Sequence, residues 1–71
     1  MHYKIQLDKN DKPNGVVRTD EGGQLWAIPF DPANTDYQQF RKDIAAGVEL
    51  EDATGTVMTA DQVTAFLATL P

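Results

Sequence analysis

Alternation is the first pattern along the chain. In HYKIQLD, Tyr3, Ile5 and Leu7 fall on one side and His2, Lys4, Gln6 and Asp8 on the other, the period of two that marks a strand with one buried face. KNDKPNG, residues 9–15, then gathers turn-forming residues, and Asn14-Gly15 suits the positive backbone angles of a tight reversal. VVRT is the expected hairpin partner. Asp20, Glu21, Gly22 and Gly23 predict a second turn, after which QLWAIPF is apolar almost without alternation. Such a strand is covered on both faces or docks onto something else. Pro29 has no ladder donor, so this strand lies at an edge or ends there.

The period then changes. Thr35 stands three residues before Gln38, the spacing of a capping box, which predicts a helix from about Asp36. Tyr37, Phe40 and Ile44 form its apolar stripe, Gln38, Gln39, Arg41, Lys42 and Asp43 face away, and Gly47 is the natural stop. VELEDATGTVM reads as a short hairpin with Val48 and Leu50 inward, a turn over Asp52 to Gly55, and a return through Val57 and Met58. Thr59 and Gln62 repeat the capping spacing. Val63, Phe66, Leu67 and Leu70 then make a second amphipathic helix, closed by Pro71. The expected fold is α+β: a small antiparallel sheet, made of the N-terminal strands plus the later hairpin, packed against two amphipathic helices. No repeat or linker divides residues 1–71, so one domain is expected.

Size and charge narrow the function. A chain of 71 residues buries only roughly 60% of the surface its unfolded form exposes, so little core is spare. The net charge of -5 is uneven: four bases and four acids cancel over residues 1–30, while Arg41 and Lys42 face seven acids over residues 31–71. An acidic surface repels phosphates, which argues against nucleic acid as a partner and for a protein. With no cysteine there is neither a disulfide frame nor a thiolate metal site. No apolar run is long enough to span a bilayer, and no signal peptide is evident, so no membrane partner is expected.

Catalytic candidates are few. Nucleophilic catalysis needs a nucleophile, a base and a group to orient the base, yet the sole imidazole, His2, follows the first residue. Glu49, Glu51 and Asp52 cluster, but Glu49 and Glu51 share one solvent face of a strand, whereas acid/base work needs a carboxylate desolvated in a pocket. Asn10, Lys12, Asn14, Gly15 and Glu21 imitate the spacing of a calcium loop; a lysine at a ligand position and strand-like flanks argue against it. Gly22-Gly23 lacks the lysine and helix that phosphate binding requires. The reading is therefore non-enzymatic, with no metal and no cofactor.

Surface chemistry remains. Trp26, Ile28 and Phe30 share one side of the third strand, with Leu25 and Ala27 on the other. The plain reading makes Trp26 core. The sharper one makes Trp26, Ile28, Phe30 and Tyr37 a partner-binding set, because aromatic anchors dominate contact energies. Pro29, Asp31, Pro32 and Asp36 would form the corner that presents them. In a second reading the carboxylates Asp43, Glu49, Glu51, Asp52 and Asp61 form an acidic face that occupies a basic groove.

The thirteen residues from Ile28 to Phe40, IPFDPANTDYQQF, resemble the I-P-x-D-P-x-N-x-D-Y-x-x-[FY] box of small bacteriophage proteins commonly encoded among tail or other structural genes. Arg18 to Gly22, RTDEG, is similar to the segment that often precedes the box, and VMTADQVTAFLATLP is similar to the ending of some members. The resemblance implies a phage origin, location in the virion or the host cytoplasm, and a protein partner: another phage structural protein or the chain itself. Together with the apolar contact surface it gives the expectation of a minor tail-region component or tail-assembly accessory; the acidic face gives the alternative, inhibition of a host defence or nucleic-acid-binding enzyme. Many relatives end in a short polar tail after the box helix, whereas here a hairpin and helix follow.

Overall fold

The structure, a computed structural model, describes all 71 residues. Strands β1 (His2–Leu7), β2 (Pro13–Thr19) and β3 (Leu25–Pro29) form an antiparallel meander. Helix α1 (Thr35–Ala45) carries the chain across one face to β4 (Leu50–Glu51) at the far edge, and α2 (Ala60–Leu67) follows. The sheet order is β3-β2-β1-β4. The α+β class and both helices are as the periodicities predict, but the sheet is mixed, because β4 lies parallel to β1. A strand reached through a crossover helix can enter in that orientation, which a tight turn forbids. The later hairpin is reduced to a Glu51–Val57 bridge and a 2.8 Å bond from Met58 N–H to the Leu50 carbonyl.

One device makes three of the turns. Asp8, Asp20 and Asp52 each accept, through Oδ1, the backbone N–H groups two and four residues on, at 2.8–3.1 Å. In each turn the aspartate's own N–H bonds the carbonyl four residues on, and its carbonyl receives the N–H three residues on. The fourth position needs positive φ and is Asp11 (60°), Gly23 (79°) or Gly55 (92°). The first reversal is therefore at Asp8 to Lys12, not Asn14-Gly15. Gly15 lies inside β2 for another reason: a Cβ there would stand 2.5 Å from the Ile28 carbonyl oxygen. Asn14 is the extra residue where the β1/β2 register shifts. Aspartate bears a left-handed penalty of roughly 1–2 kcal/mol, against which glycine loses about 0.5–1 kcal/mol of chain entropy on folding, so Asp11→Gly should stabilise the fold by up to about 1 kcal/mol. A higher urea midpoint at unchanged slope would show it.

The first helix begins one residue early. Asn34, not Thr35, is its N-cap, with Oδ1 accepting the Tyr37 N–H at 3.1 Å. The preceding turn, closed by Asn34 N–H to the Asp31 carbonyl at 2.8 Å, delivers Asn34 in the extended conformation a cap requires. Gln38 turns instead to the Pro32 carbonyl at 2.8 Å. Gly47 ends α1 at φ 98°, and α2 opens with the predicted Thr59/Gln62 capping box.

Both helices cover one face of the sheet. Tyr3, Ile5, Val16, Ile28 and Leu50 from the strands bury against Tyr37, Phe40 and Ile44 of α1. Val63, Phe66, Leu67 and Leu70 are partly buried against this cluster. Phe30 joins the two helices, its ring centroid 5.9 Å from those of both Tyr37 and Phe66. The opposite face, with Lys4, Gln6, Leu25 and Ala27, is open.

Candidate functional site

The register places Arg18 between Tyr3 on β1 and Trp26 on β3, on the helix side of the sheet. α1 covers the Tyr3 end of this row and leaves the Trp26 end bare. Tyr3 is fully buried and donates from its hydroxyl to Asp43 Oδ2 at 2.5 Å. Burial first, then the Asp43 bond and charge, push the phenol up to about 12. Trp26 is 43% exposed and Leu25, its neighbour, 65% exposed. Two large apolar side chains thus project from one short edge strand.

Trp26 is held in place although exposed. Its Nε1 donates to Asp20 Oδ2 at 3.4 Å, and the Arg18 guanidinium carbon lies 5.8 Å from the ring centroid, a cation–π arrangement. Backbone donors, led by Gln24 N–H, together with the Trp26 indole and Gly22 N–H, hold the Asp20 carboxyl below its ordinary range. The Asp20 turn therefore serves two ends: it closes the β2/β3 hairpin and anchors the aromatic ring beside it. An anchored aromatic loses little freedom on binding, which favours its use as a contact anchor.

The other partner-binding candidates are placed differently. Ile28 and Tyr37 are buried, Ile28 beneath the helices and Tyr37 with its hydroxyl donating to the Pro71 carbonyl at 2.7 Å. Phe30 is half-buried among aromatics. These three serve the core, because α1 and α2 cover their end of the strand. Among the corner residues, the Pro29 carbonyl accepts Asp31 N–H at 2.9 Å, Asp31 Oδ1 accepts Ala33 N–H at 3.0 Å, and Pro32 receives Gln38. Asp36 stands outside the corner, in the first turn of α1, where a carboxylate favours the helix dipole. Asn34 takes the role expected of it.

The acidic set is largely committed within the chain. Asp43 holds Tyr3 and Gln39, and Glu51 Oε2 lies 3.5 Å from His2 Nε2. Asp52 closes its own turn and is held below its ordinary range, chiefly by the Thr54 hydroxyl and then Thr56 N–H. Glu49 and Asp61 remain exposed. No three His, Asp or Glu side chains converge as metal ligands, and no helix is long and apolar enough to cross a membrane.

Leu25, Arg18, Asp20 and Asn34 were absent from the sequence-derived site. The repeated spacing of aspartates before glycine carries the Asp20 turn, and the Asn34-x-x-Tyr37 spacing carries the cap. Comparison with protein families, with curated proteins and with solved structures returns no match.

The raised phenol at Tyr3 gives a test of the row. A folded pKa above the unfolded value of 10.0 contributes stability that is whole below pH 10 and lost as pH rises through about 12. In urea titrations from pH 9 upward, the stability difference between the native chain and Tyr3→Phe should stay constant to about pH 10 and then shift against the native chain. A constant difference across the range would contradict the assignment.

Proposed function

We propose that the chain is a non-enzymatic bacteriophage protein that acts through protein–protein contacts, as a minor tail-region component of the virion or a tail-assembly accessory. The observation that carries the contact reading is the exposed Leu25-Trp26 pair on an uncharged edge strand, with the tryptophan held in place by Arg18 and Asp20. Aromatic anchors on a free strand edge suit docking by strand addition. The phage setting rests on the likeness of residues 28–40 to the box of that family. The acidic face carries no comparable support, since Asp43, Glu51 and Asp52 already serve partners within the chain.

The test is quantitative mass spectrometry of gradient-purified phage particles and of tail-assembly intermediates. A fixed copy number that survives a high-salt wash is expected, because an apolar contact is screened little by salt. Absence from both particles and intermediates would overturn the proposal.

A further inference from the structure

Hydrogen-bond phase defines what the β3 edge offers. Asp20 N–H donates to the Gln24 carbonyl at 3.1 Å, and the same register pairs Arg18 with Trp26 and Val16 with Ile28. Antiparallel alternation then turns the main-chain groups of Trp26 and Ile28 toward β2 and those of Leu25 and Ala27 outward. Pro29 has no N–H, and its carbonyl already receives Asp31. The free edge therefore presents one N–H and one carbonyl from each of Leu25 and Ala27.

That pattern complements itself. Where two such edges run antiparallel with one Trp26 opposite the other, Leu25 of each copy faces Ala27 of its partner, and every outward group is paired about a two-fold axis. The opposite side of the sheet is already occupied: beyond β4, Met58 N–H bonds the Leu50 carbonyl, Asp52 N–H bonds the Thr56 carbonyl and Glu51 bridges Val57. β3 has no such cover, and from Leu25 to Phe30 there is no charged residue. Edges that stay unpaired are commonly guarded by charge, and this one is not.

We infer that the β3 edge takes a second copy of this chain, paired antiparallel about a two-fold axis at Trp26. The inference rests on the reading of β3 as the contact strand. A strip of one five-residue strand is smaller than the roughly 800 Å2 per partner of a standard interface, so the dimer is weak and concentration-dependent.

Sedimentation equilibrium of the full chain from micromolar to millimolar concentration tests it, with amide exchange followed in parallel. The average mass should climb from one chain toward two, and exchange at Leu25 and Ala27 should slow in step. Ala27→Pro deletes an outward N–H and no bond to β2, so it should weaken dimerisation about tenfold or more with an unchanged circular dichroism spectrum. Leu25→Lys should do the same by charging the edge, and covers the case in which the proline variant fails to fold. A single-chain mass at every concentration overturns the second copy. If Leu25 and Ala27 are nevertheless protected when the chain is bound to a tail protein, the contact strand itself stands. A dimer that both variants leave intact overturns the edge pairing.

Discussion

Phe40→Ala is expected to remove a large share of the domain's stability at ambient temperature. Phe40 is fully buried, its ring meets Tyr3 edge-on at 5.0 Å, and it lies within 6.3 Å of Phe30 and Tyr37. Deleting a buried phenylalanine costs about 3–5 kcal/mol, transfer and cavity terms together. A chain of 71 residues has roughly 4–10 kcal/mol in all. No second core shares the load, since the eight buried hydrophobic residues form one cluster. Urea unfolding followed by far-ultraviolet circular dichroism measures the loss. A cost below about 1 kcal/mol, far under the usual range, would mean that the cluster is not what holds sheet and helix together.

Gly15→Ala is the second large effect. The new Cβ would lie 2.5 Å from the Ile28 carbonyl oxygen and 3.3 Å from its carbon, and backbone atoms in a paired strand cannot rotate away. Forcing the methyl in should cost about 2–3 kcal/mol and part β2 from β3 near Pro29. The expected signature is a lower urea midpoint with faster amide exchange at Ile28. Gly22→Ala is the control: its Cβ would meet only the Asp20 Oδ1 at 3.5 Å, an ordinary contact, so stability should barely change. Equal costs at the two positions would show that glycine itself, rather than the close approach, matters at Gly15.

This glycine also shows where the sequence could be read and where it misled. Turn geometry and close strand approach both demand glycine, and Asn14-Gly15 satisfies the letter pattern of the first while performing the second. At α1 two capping spacings overlap, Asn34 to Tyr37 and Thr35 to Gln38; the turn from Asp31 decides between them, and that turn depends on three-dimensional closure. The strand and helix periodicities were legible because each follows from local geometry. β4's parallel alignment was not, because nothing in a two-residue strand records which way a distant neighbour runs.

The candidate site divides along similar lines. Alternation placed Trp26, Ile28 and Phe30 on one face, as found, but the face is covered only as far as the helices reach. Ile28 and Phe30 lie under them and Trp26 lies outside, a boundary set by helix length and position. Acidic residues misled in another way. Composition counts carboxylates without showing which ones already bind N–H and O–H groups of their own chain, as Asp43 and Asp52 do.

Amide exchange of the chain within purified particles or tail-assembly complexes, compared with the dilute free chain, tests the contact surface most directly. The outward N–H groups of Leu25 and Ala27 should exchange quickly in the free chain and become protected in the assembly. Unchanged exchange at these two residues, with new protection on another face, would contradict the assignment of β3 and Trp26 as the surface through which this protein works.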